Sequence, residues 1–192
     1  MLPVITAGTI RAYRFLLSIL LLTGLAVTGC GAEVQCQADD KPQDIAKRLL
    51  TQNTELAHPA VELSLPPSEH SIVVLRRPKD DVNTNYEGSV LVLQEGQVCS
   101  YKKYDLPAMV EPPGLFDIEV EAVFAAAVGV GKERDIVVLY RYHRNGSESD
   151  SGYASYIYRW NGSAFESQPN LADQVVGLKT AAAVRSKLRG AN

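Results

Sequence analysis

The sequence predicts a mainly β fold, with two antiparallel four-stranded meanders packed together and a short helix at each end of the domain. Three observations support this prediction. Beyond His58 and Pro59, β-branched and aromatic residues collect into short runs. Clusters of Pro, Gly, Asn and Asp separate these runs, as is typical of strands joined by turns. Two stretches about 65 residues apart are also alike, which indicates a repeated unit.

The segment before the first meander is predicted to hold one short helix. Residues 31–41 are small and polar and are interpreted as a tether. Pro42 suits the first position of a helix, and Ile45 and Leu49 follow at helical spacing. We therefore expect a helix from Pro42 to about Thr54.

The first meander is predicted over residues 57–110 and the second over residues 111–170, with a Pro-rich break at 106–114 between their strands. Strands are expected in the first meander at residues 61–65, 72–77, 89–93 and 97–104. Strands are expected in the second at residues 116–128, 135–143, 153–160 and 164–167. Asn161-Gly162 joins the last two strands, and Asn-Gly is the strongest short signal for a hairpin.

The two meanders share a sequence pattern. Residues 71–76 (Ser-Ile-Val-Val-Leu-Arg) parallel residues 135–140 (Asp-Ile-Val-Val-Leu-Tyr), and each is followed by a polar loop and another strand. An internal duplication of a four-stranded unit explains this pattern, and chance similarity between β-rich segments is the alternative. One unit alone could not bury both of its faces, so the two units are expected to pack together.

A C-terminal helix is predicted within residues 171–192. Residues 173–188 carry apolar side chains such as Val175, with Arg185 and Lys187 late in the run. Basic residues near the end of a helix are favoured by its dipole. We expect this helix to cover an edge or a face of a sheet.

The first 30 residues are of a different kind. Arg11 and Arg14 precede an uncharged apolar run at residues 15–27, which residues 27–30 (Val-Thr-Gly-Cys) close. This arrangement resembles a bacterial lipoprotein signal. The resemblance implies that the leader is removed and that the cysteine carries acyl chains. A transmembrane helix, the alternative, needs about 20 apolar residues, and this run is shorter.

The resemblance also implies a location. Two or more acyl chains hold a protein firmly on a bilayer, so Cys30 would anchor the mature chain. Gly31, in place of Asp, implies delivery to the outer membrane with the domain facing the periplasm. The predicted organisation is a signal peptide at residues 1–29, a lipidated tether at 30–41 and one periplasmic domain at 42–192.

Two further cysteines are expected to pair. Once Cys30 is acylated, Cys36 and Cys99 are the remaining cysteines of the three. In an oxidising compartment, two leftover thiols usually form a disulfide. We predict a Cys36–Cys99 bond, with two buried free thiols as the alternative.

Two stretches of the second meander carry a family resemblance. They are residues 131–139 (Gly-Lys-Glu-Arg-Asp-Ile-Val-Val-Leu) and residues 158–165 (Tyr-Arg-Trp-Asn-Gly-Ser-Ala-Phe). Residues 128–165 thereby resemble a degenerate blade of the FG-GAP type found in integrin-like β-propellers. That family binds calcium through several Asp and Asn side chains, of which only Asp135 is present here. Since calcium takes six to eight oxygens, no strong calcium site is expected in this loop.

Composition and motifs disfavour several classes of function. The formal net charge is −3 and no basic stripe occurs, so nucleic acid is not an expected partner. No HExxH, GxSxG, P-loop or Cys-His metal spacing is present, so no catalytic centre, cofactor or metal is expected. His58, His70 and His143 are interpreted as ordinary surface residues.

Three acidic residues alternate with apolar ones near the start of the second meander. Asp117, Glu119 and Glu121 would share one strand face, roughly 7 Å apart. Such a row suits paired-carboxylate hydrolysis. It is also how the solvated face of a half-buried strand looks. A third interpretation is that the row meets a basic partner.

Aromatic residues are predicted to cluster on the next two strands. Tyr140 and Tyr142 share one face, and Tyr156, Tyr158 and Trp160 share a face of the neighbouring strand. Tyrosine and tryptophan fill β-sheet cores and also anchor protein interfaces, so both interpretations stay open. A polar, acidic loop is expected at residues 144–152. The candidate partner-binding residues are Tyr140, Tyr142, His143, Tyr156, Tyr158, Asp117, Glu119 and Glu121.

These features favour a non-catalytic, lipid-anchored periplasmic module that binds another protein. Small lipoproteins with an FG-GAP-like body include immunity proteins against periplasm-acting effectors such as cell-wall hydrolases, and the resemblance implies that role. A structural subunit of an envelope or secretion assembly fits the same residues. A hydrolase that uses Glu119 or Glu121 is the remaining alternative.

Overall fold

Both predicted meanders are present as antiparallel sheets in the computed structural model of the chain. The structure describes residues 32–37, 39–66, 68–79, 86–94, 99–109, 115–129, 134–144 and 147–191. The strands are β1 (Glu33–Gln35), β2 (Thr54–Leu56), β3 (Val61–Leu65), β4 (Ser68–Pro78), β5 (Glu87–Leu93), β6 (Ser100–Asp105), β7 (Leu115–Ala127), β8 (Arg134–Arg144), β9 (Ser147–Trp160) and β10 (Phe165–Ser167). The helices are α1 (Pro42–Lys47), α2 (Pro169–Asp173) and α3 (Ala181–Arg189). The expected signal peptide, Cys30 and Gly31 lie outside the described residues.

The first sheet contains the predicted meander and two additional short strands. Its order is β1-β6-β5-β4-β2, and β3 also pairs with β4. β2 and β3 lie one after the other along the same edge of β4. They are separated around Pro59, because proline has no N–H to donate to a neighbouring strand. β1 and β2 have three residues each, and an alternation of apolar and polar residues cannot be recognised in so short a segment.

The second sheet follows the predicted order β7-β8-β9-β10, with every strand antiparallel to its neighbour. β9 begins earlier than expected. The loop predicted at residues 144–152 is mostly strand, because Ser147 already pairs with Arg144 and Ser151 pairs with His143. Residues 145–146, between β8 and β9, lie outside the described residues.

The two sheets pack face to face, and both faces of each sheet are buried in their central strands. In β4, Val73 and Leu75 contribute to the core between the sheets, while Ile72 and Val74 point to the outer face. Residues 136–139 of β8 divide between the central core and the opposite outer face in the same way. Strands covered on both faces read as continuous apolar runs, which is the pattern that the sequence shows.

Short helices cover the two outer faces. Ile45 and Ala46 of α1 pack on the outer face of the first sheet. Val184 and Leu188 of α3, together with Val175, pack on the outer face of the second sheet. The described domain therefore has four layers, with one helical cover outside each sheet.

The helices are shorter than predicted. α1 ends at Lys47, well before Thr54, and the chain then enters β2. The helix expected over residues 173–188 is helical only from Ala181, in α3, because α2 already ends at Asp173. Gly177, between α2 and α3, adopts φ +81°, a left-handed conformation that favours glycine. The hydroxyl of Thr180 caps α3 by accepting a hydrogen bond from the N–H of Ala183 at 3.2 Å. None of the helices within the described ranges is long and apolar enough to cross a bilayer.

The predicted disulfide is confirmed. Cys36 and Cys99 are bonded, and their Cα atoms lie 5.2 Å apart, within the normal range. β1 directly precedes Cys36 and pairs with Ser100–Lys102 of β6. Residues 33–36, which were expected to belong to the tether, are therefore part of the first sheet.

We predict that the disulfide makes a large contribution to stability. It joins residues 63 positions apart, and closing a loop of that length should stabilise the fold by about 4 kcal/mol. The variant Cys36→Ser/Cys99→Ser should lose about that much free energy of unfolding in denaturant titrations, with Cys30→Ser as the control that keeps the bond. Equal midpoints for the double variant and the control would contradict this prediction.

Candidate functional site

The edge of β9 is only partly covered. β10 pairs with Tyr158–Trp160 and no further. The chain that follows, residues 168–177, returns to the edge of β9 at two points. The N–H of Gln168 donates to the carbonyl of Ile157 at 2.8 Å, and the N–H of Gly177 donates to the carbonyl of Tyr153 at 2.8 Å. Between these attachments this edge segment, which contains α2, bows away from the strand.

The gap leaves the backbone polar groups of a single residue without a strand partner. Because the carbonyls of Tyr153 and Ile157 point to the outer edge, the N–H and carbonyl of Ser155 point the same way. No backbone hydrogen bond from another described residue reaches them. Ser155 is only 4% exposed, and its hydroxyl has no hydrogen-bond partner in the described part of the chain.

A pocket of about 550 Å³ occupies this gap. We call it the β9 pocket, and its volume is typical of sites that hold a small ligand or a large side chain. Its lining is mostly apolar and comes from β8, β9, the edge segment and the linker after β6. The residues that line it are Ala108, Tyr140, Tyr142, Arg144, Ala154, Ser155, Tyr156, Ile157, Ser167, Pro169, Ala172, Asp173 and Val176.

The predicted aromatic cluster is present and forms one wall of the pocket. The rings of Tyr142, Tyr140, Tyr156 and Tyr158 follow one another with centroids 6.1, 5.0 and 6.4 Å apart. Trp160 packs edge-on against Tyr104 of the first sheet, with ring centroids 5.0 Å apart. Tyr140, Tyr142 and Tyr156 line the pocket, whereas Tyr158 and Trp160 do not. The cluster therefore serves both as core and as pocket wall.

Tyr158 belongs entirely to the core. Burial, reinforced by the neighbouring Tyr140, raises the pKa of its hydroxyl above the usual value. Although it was a candidate partner-binding residue, its place is in the interior between the sheets.

The mouth of the pocket combines an apolar side chain with charges of both signs. Val176, in the edge segment, is 55% exposed and is the only large hydrophobic residue so exposed among those described. Arg144 at the end of β8 is exposed, lies 5.8 Å from the centroid of the Tyr142 ring and donates to its hydroxyl at 3.4 Å. Asp173 also lines the pocket. The opening is therefore accessible from outside, with an apolar rim on the edge segment.

Gly152 makes room for one of the wall residues. It lies directly opposite Tyr142 in the β8–β9 ladder. A Cβ atom at Gly152 would overlap the ring of Tyr142, with Cε2 only 2.7 Å away. A glycine inside a strand often marks such a close approach, but the sequence pattern placed this one in a loop.

The predicted carboxylate row is distributed differently from the expected regular ladder. β7 is irregular between Phe116 and Glu119 and again between Val120 and Ala122, so strict alternation is interrupted. Glu119 and Glu121 both form ion pairs with Arg141 of β8, the latter at 3.2 Å. The side chain of Asp117 lies outside the described residues. The two glutamates do not line the β9 pocket.

The histidines have separate environments. His143, expected at the surface, is buried, and its Nδ1 atom has no hydrogen-bond partner within the described ranges. His70 is exposed and lies 3.2 Å from a carboxylate oxygen of Glu62. His58 is half-buried. None of the three lines the β9 pocket.

Asp135, the carboxylate singled out in the FG-GAP-like stretch, forms an ion pair within the second sheet. It is 1% exposed and accepts two hydrogen bonds from the guanidinium of Arg159, at 3.0 and 2.8 Å. Such a bidentate pair compensates a buried charge. The preceding residues 130–133 lie outside the described part of the chain.

The described residues contain no group of three or more His, Cys, Asp or Glu side chains that could hold a metal ion. No protein-family model, curated protein or solved structure matches the chain. The interpretation of the β9 pocket therefore depends on its own geometry.

We predict that Gly152→Ala lowers the free energy of unfolding by about 1–3 kcal/mol, because the added methyl group forces the ring of Tyr142 to move. Gly190→Ala is a suitable control, since a Cβ atom there makes only an ordinary contact at 3.6 Å. Chemical denaturation measures both effects. Equal stabilities of the two variants would show that the contact with Tyr142 does not constrain this wall.

Proposed function

We propose that this chain is a lipid-anchored extracytoplasmic module that binds another protein, and that the β9 pocket is the centre of its binding surface. The observation that supports the proposal is an aromatic-walled pocket at an open strand edge, beside the exposed Val176. Protein interfaces concentrate their binding energy where one partner inserts a large side chain into such a pocket.

The composition of the pocket supports a binding role. The cores of protein interfaces are enriched in tyrosine and poor in charged residues. Three tyrosines wall the β9 pocket, whereas Arg144 and Asp173 are the only charged residues among the described residues of its lining. Glu119 and Glu121 contact Arg141 and are absent from this lining, so we do not extend the proposal to hydrolysis.

The lipid anchor is supported by the N-terminal sequence. Arg11, Arg14, the apolar run at residues 15–27 and Cys30 have the arrangement of a lipoprotein signal. The Cys36–Cys99 disulfide agrees with an oxidising compartment such as the periplasm. We propose acylation of Cys30 and attachment to the periplasmic face of the outer membrane.

The specific role we propose is that of an immunity protein against a periplasm-acting effector such as a cell-wall hydrolase. The FG-GAP-like resemblance of residues 128–165 supports this role. A subunit of an envelope or secretion assembly is the alternative. The two are distinguished by whether a captured partner is an enzyme that the protein inhibits or a component of a large complex.

We expect the mature chain to incorporate a palmitate analogue when it is produced in a bacterial host, and Cys30→Ala to lose the label and the membrane association. Cys36→Ser/Cys99→Ser should keep both, because it leaves Cys30 in place. Fractionation and mass spectrometry of the N-terminal peptide measure these outcomes. An unmodified Cys30 in the wild-type protein would contradict the anchor.

We expect substitutions at the pocket mouth to abolish capture of the partner from periplasmic extract. Ala108→Trp should fill the opening and Val176→Asp should place a charge on its apolar rim. Loss of a central contact of at least about 2 kcal/mol weakens binding by about 30-fold. Ala182→Trp, an exposed alanine of α3 outside the pocket, is the matched control. Undiminished capture by both mouth variants would contradict the proposed surface.

A further inference from the structure

We infer that the outer edge of β1 lies against the phospholipid headgroups of the membrane that anchors the chain. We call this surface, formed by Glu33–Gln35, the β1 edge. The inference rests on the acylation of Cys30 in the proposed function, and it adds which surface of the domain faces the bilayer. Three features support it: the length of the connection to Cys30, the thickness of the layers around β1 and the chemistry of the β1 edge.

The connection between the lipid anchor and the first sheet is very short. Only Gly31 and Ala32 separate Cys30 from β1. Ala32 is itself fixed, because its carbonyl accepts a hydrogen bond from the N–H of Lys103 in β6 at 3.1 Å. Directly after β1, the disulfide at Cys36 fastens the same segment to the sheet. An acylated Cys30 therefore leaves the domain little freedom to move away from the bilayer.

The lengths involved place the start of β1 at the level of the headgroups. Three extended residues span at most about 11 Å, which limits the distance from Cys30 to Glu33. The headgroup layer of one leaflet is about 5–8 Å thick. The beginning of β1 therefore lies within this layer or directly above it.

The layers on either side of the first sheet determine which surface of the domain turns to the bilayer. α1 covers the outer face of this sheet, and the second sheet packs on its inner face. A helix with its side chains is about 10–12 Å thick, and packed sheets lie about 10 Å apart. If the domain lay on either face, one of these layers would separate β1 from the headgroups and take up the whole length of the connection. The first sheet therefore stands on its β1 edge.

The β1 edge has the polarity that a headgroup layer requires. The carbonyl of Ala32 and the N–H of Cys36 point towards β6, so the backbone polar groups of Glu33 and Gln35 point the other way. No described strand pairs with this side of β1, and both side chains are exposed. Unpaired polar groups are costly in the hydrocarbon core, where water is absent. The β1 edge therefore contacts the headgroups and does not enter the core.

The test places one fluorescent probe at each edge of the first sheet. Trp160 is the single tryptophan of the chain, so the variants Trp160→Phe/Glu33→Trp and Trp160→Phe/Glu62→Trp carry one indole each. Both glutamates are exposed. Glu62 lies in β3, on the opposite side of the sheet from β1, and the strand order β1-β6-β5-β4 with β3 beyond it separates the two probes by about 19 Å.

The acylated variants are reconstituted into vesicles of phosphatidylethanolamine and phosphatidylglycerol that contain a phospholipid with a nitroxide on its headgroup. The nitroxide quenches tryptophan fluorescence at short range. We expect quenching of the Glu33→Trp variant to be at least about twofold stronger than quenching of the Glu62→Trp variant, because only the first probe lies at the headgroups. Circular dichroism verifies that both variants are folded.

A spacer tests whether the short connection causes this difference. About ten Gly and Ser residues, inserted between Gly31 and Ala32, form a flexible link with an average span of about 17 Å. With this insertion, we expect the Glu33→Trp and Glu62→Trp probes to be quenched equally.

Lysine labelling provides a second measurement that needs no tryptophan substitution. In vesicles, an amine reagent that does not cross membranes should modify Lys102, which lies opposite Glu33, at least about twofold less in the wild-type protein than in the spacer variant. Lys79 is exposed and bonds to the residue that precedes β2, on the opposite side of the sheet. It should react equally in both proteins, as mass spectrometry of the lysine peptides measures.

The outcomes separate this inference from the proposed function. Equal quenching of the two probes in acylated, membrane-bound protein, or equal labelling of Lys102 with and without the spacer, overturns the inference and leaves the lipid anchor standing. A quenching difference that the spacer does not reduce also overturns it, because the short connection is then not the cause. An unmodified Cys30 in the N-terminal peptide overturns both the anchor and the inference. Capture that both mouth variants leave intact overturns the role of the β9 pocket and does not bear on the orientation.

Discussion

Burial of both faces of each sheet is the constraint on which the rest of the structure depends. The inner faces meet in a core where Val73 and Val90 of the first sheet contribute with Ile136 and Val138 of the second. Each such side chain stabilises the fold by about 1.5–3 kcal/mol when buried. The hydroxyl of Tyr86 also donates to a carbonyl of β7, which ties the two sheets together. Because the outer faces also carry buried apolar side chains, separate covers are needed, and the three short helices supply them.

The β9 pocket arises from the way in which one of those covers is attached. After β10 the chain leaves the plane of the second sheet and carries Val175 onto the outer face, where that residue is fully buried. To do so it crosses the edge of β9, and it bonds to that edge before and after the crossing. Ser155 lies between these two bonds, where the edge segment does not pair with β9. Packing of the outer face and formation of the pocket are therefore consequences of the same chain path.

The sequence predicted most of the strands and missed β1, β2 and the first half of β9. The apolar runs in β4, β5 and β8 identified both meanders and their order. The first half of β9 was interpreted as a loop, because it is polar and its pairing with β8 produces no alternation of apolar and polar residues in the sequence. In the site, strand alternation correctly grouped the tyrosines. Ser155 was overlooked because its lack of a strand partner depends on where residues 168–177 bond to the edge of β9. The ion pairs of Glu119 and Glu121 with Arg141 were also not predicted, because they depend on the bulges of β7 and on its neighbour β8. Such relations exist only in the folded chain.

The position of β1 has a consequence for the molecule before its cysteines are oxidised. β1 contributes three residues that cover the outer edge of β6, and the adjoining Cys36 fastens it there through Cys99. Without the covalent link, a three-residue ladder and the packing of Val34 hold this cover in place. An uncovered strand edge is a template for pairing with other chains. Oxidation thus completes a safeguard against self-association, which places the greatest risk of aggregation in the reduced, newly made polypeptide.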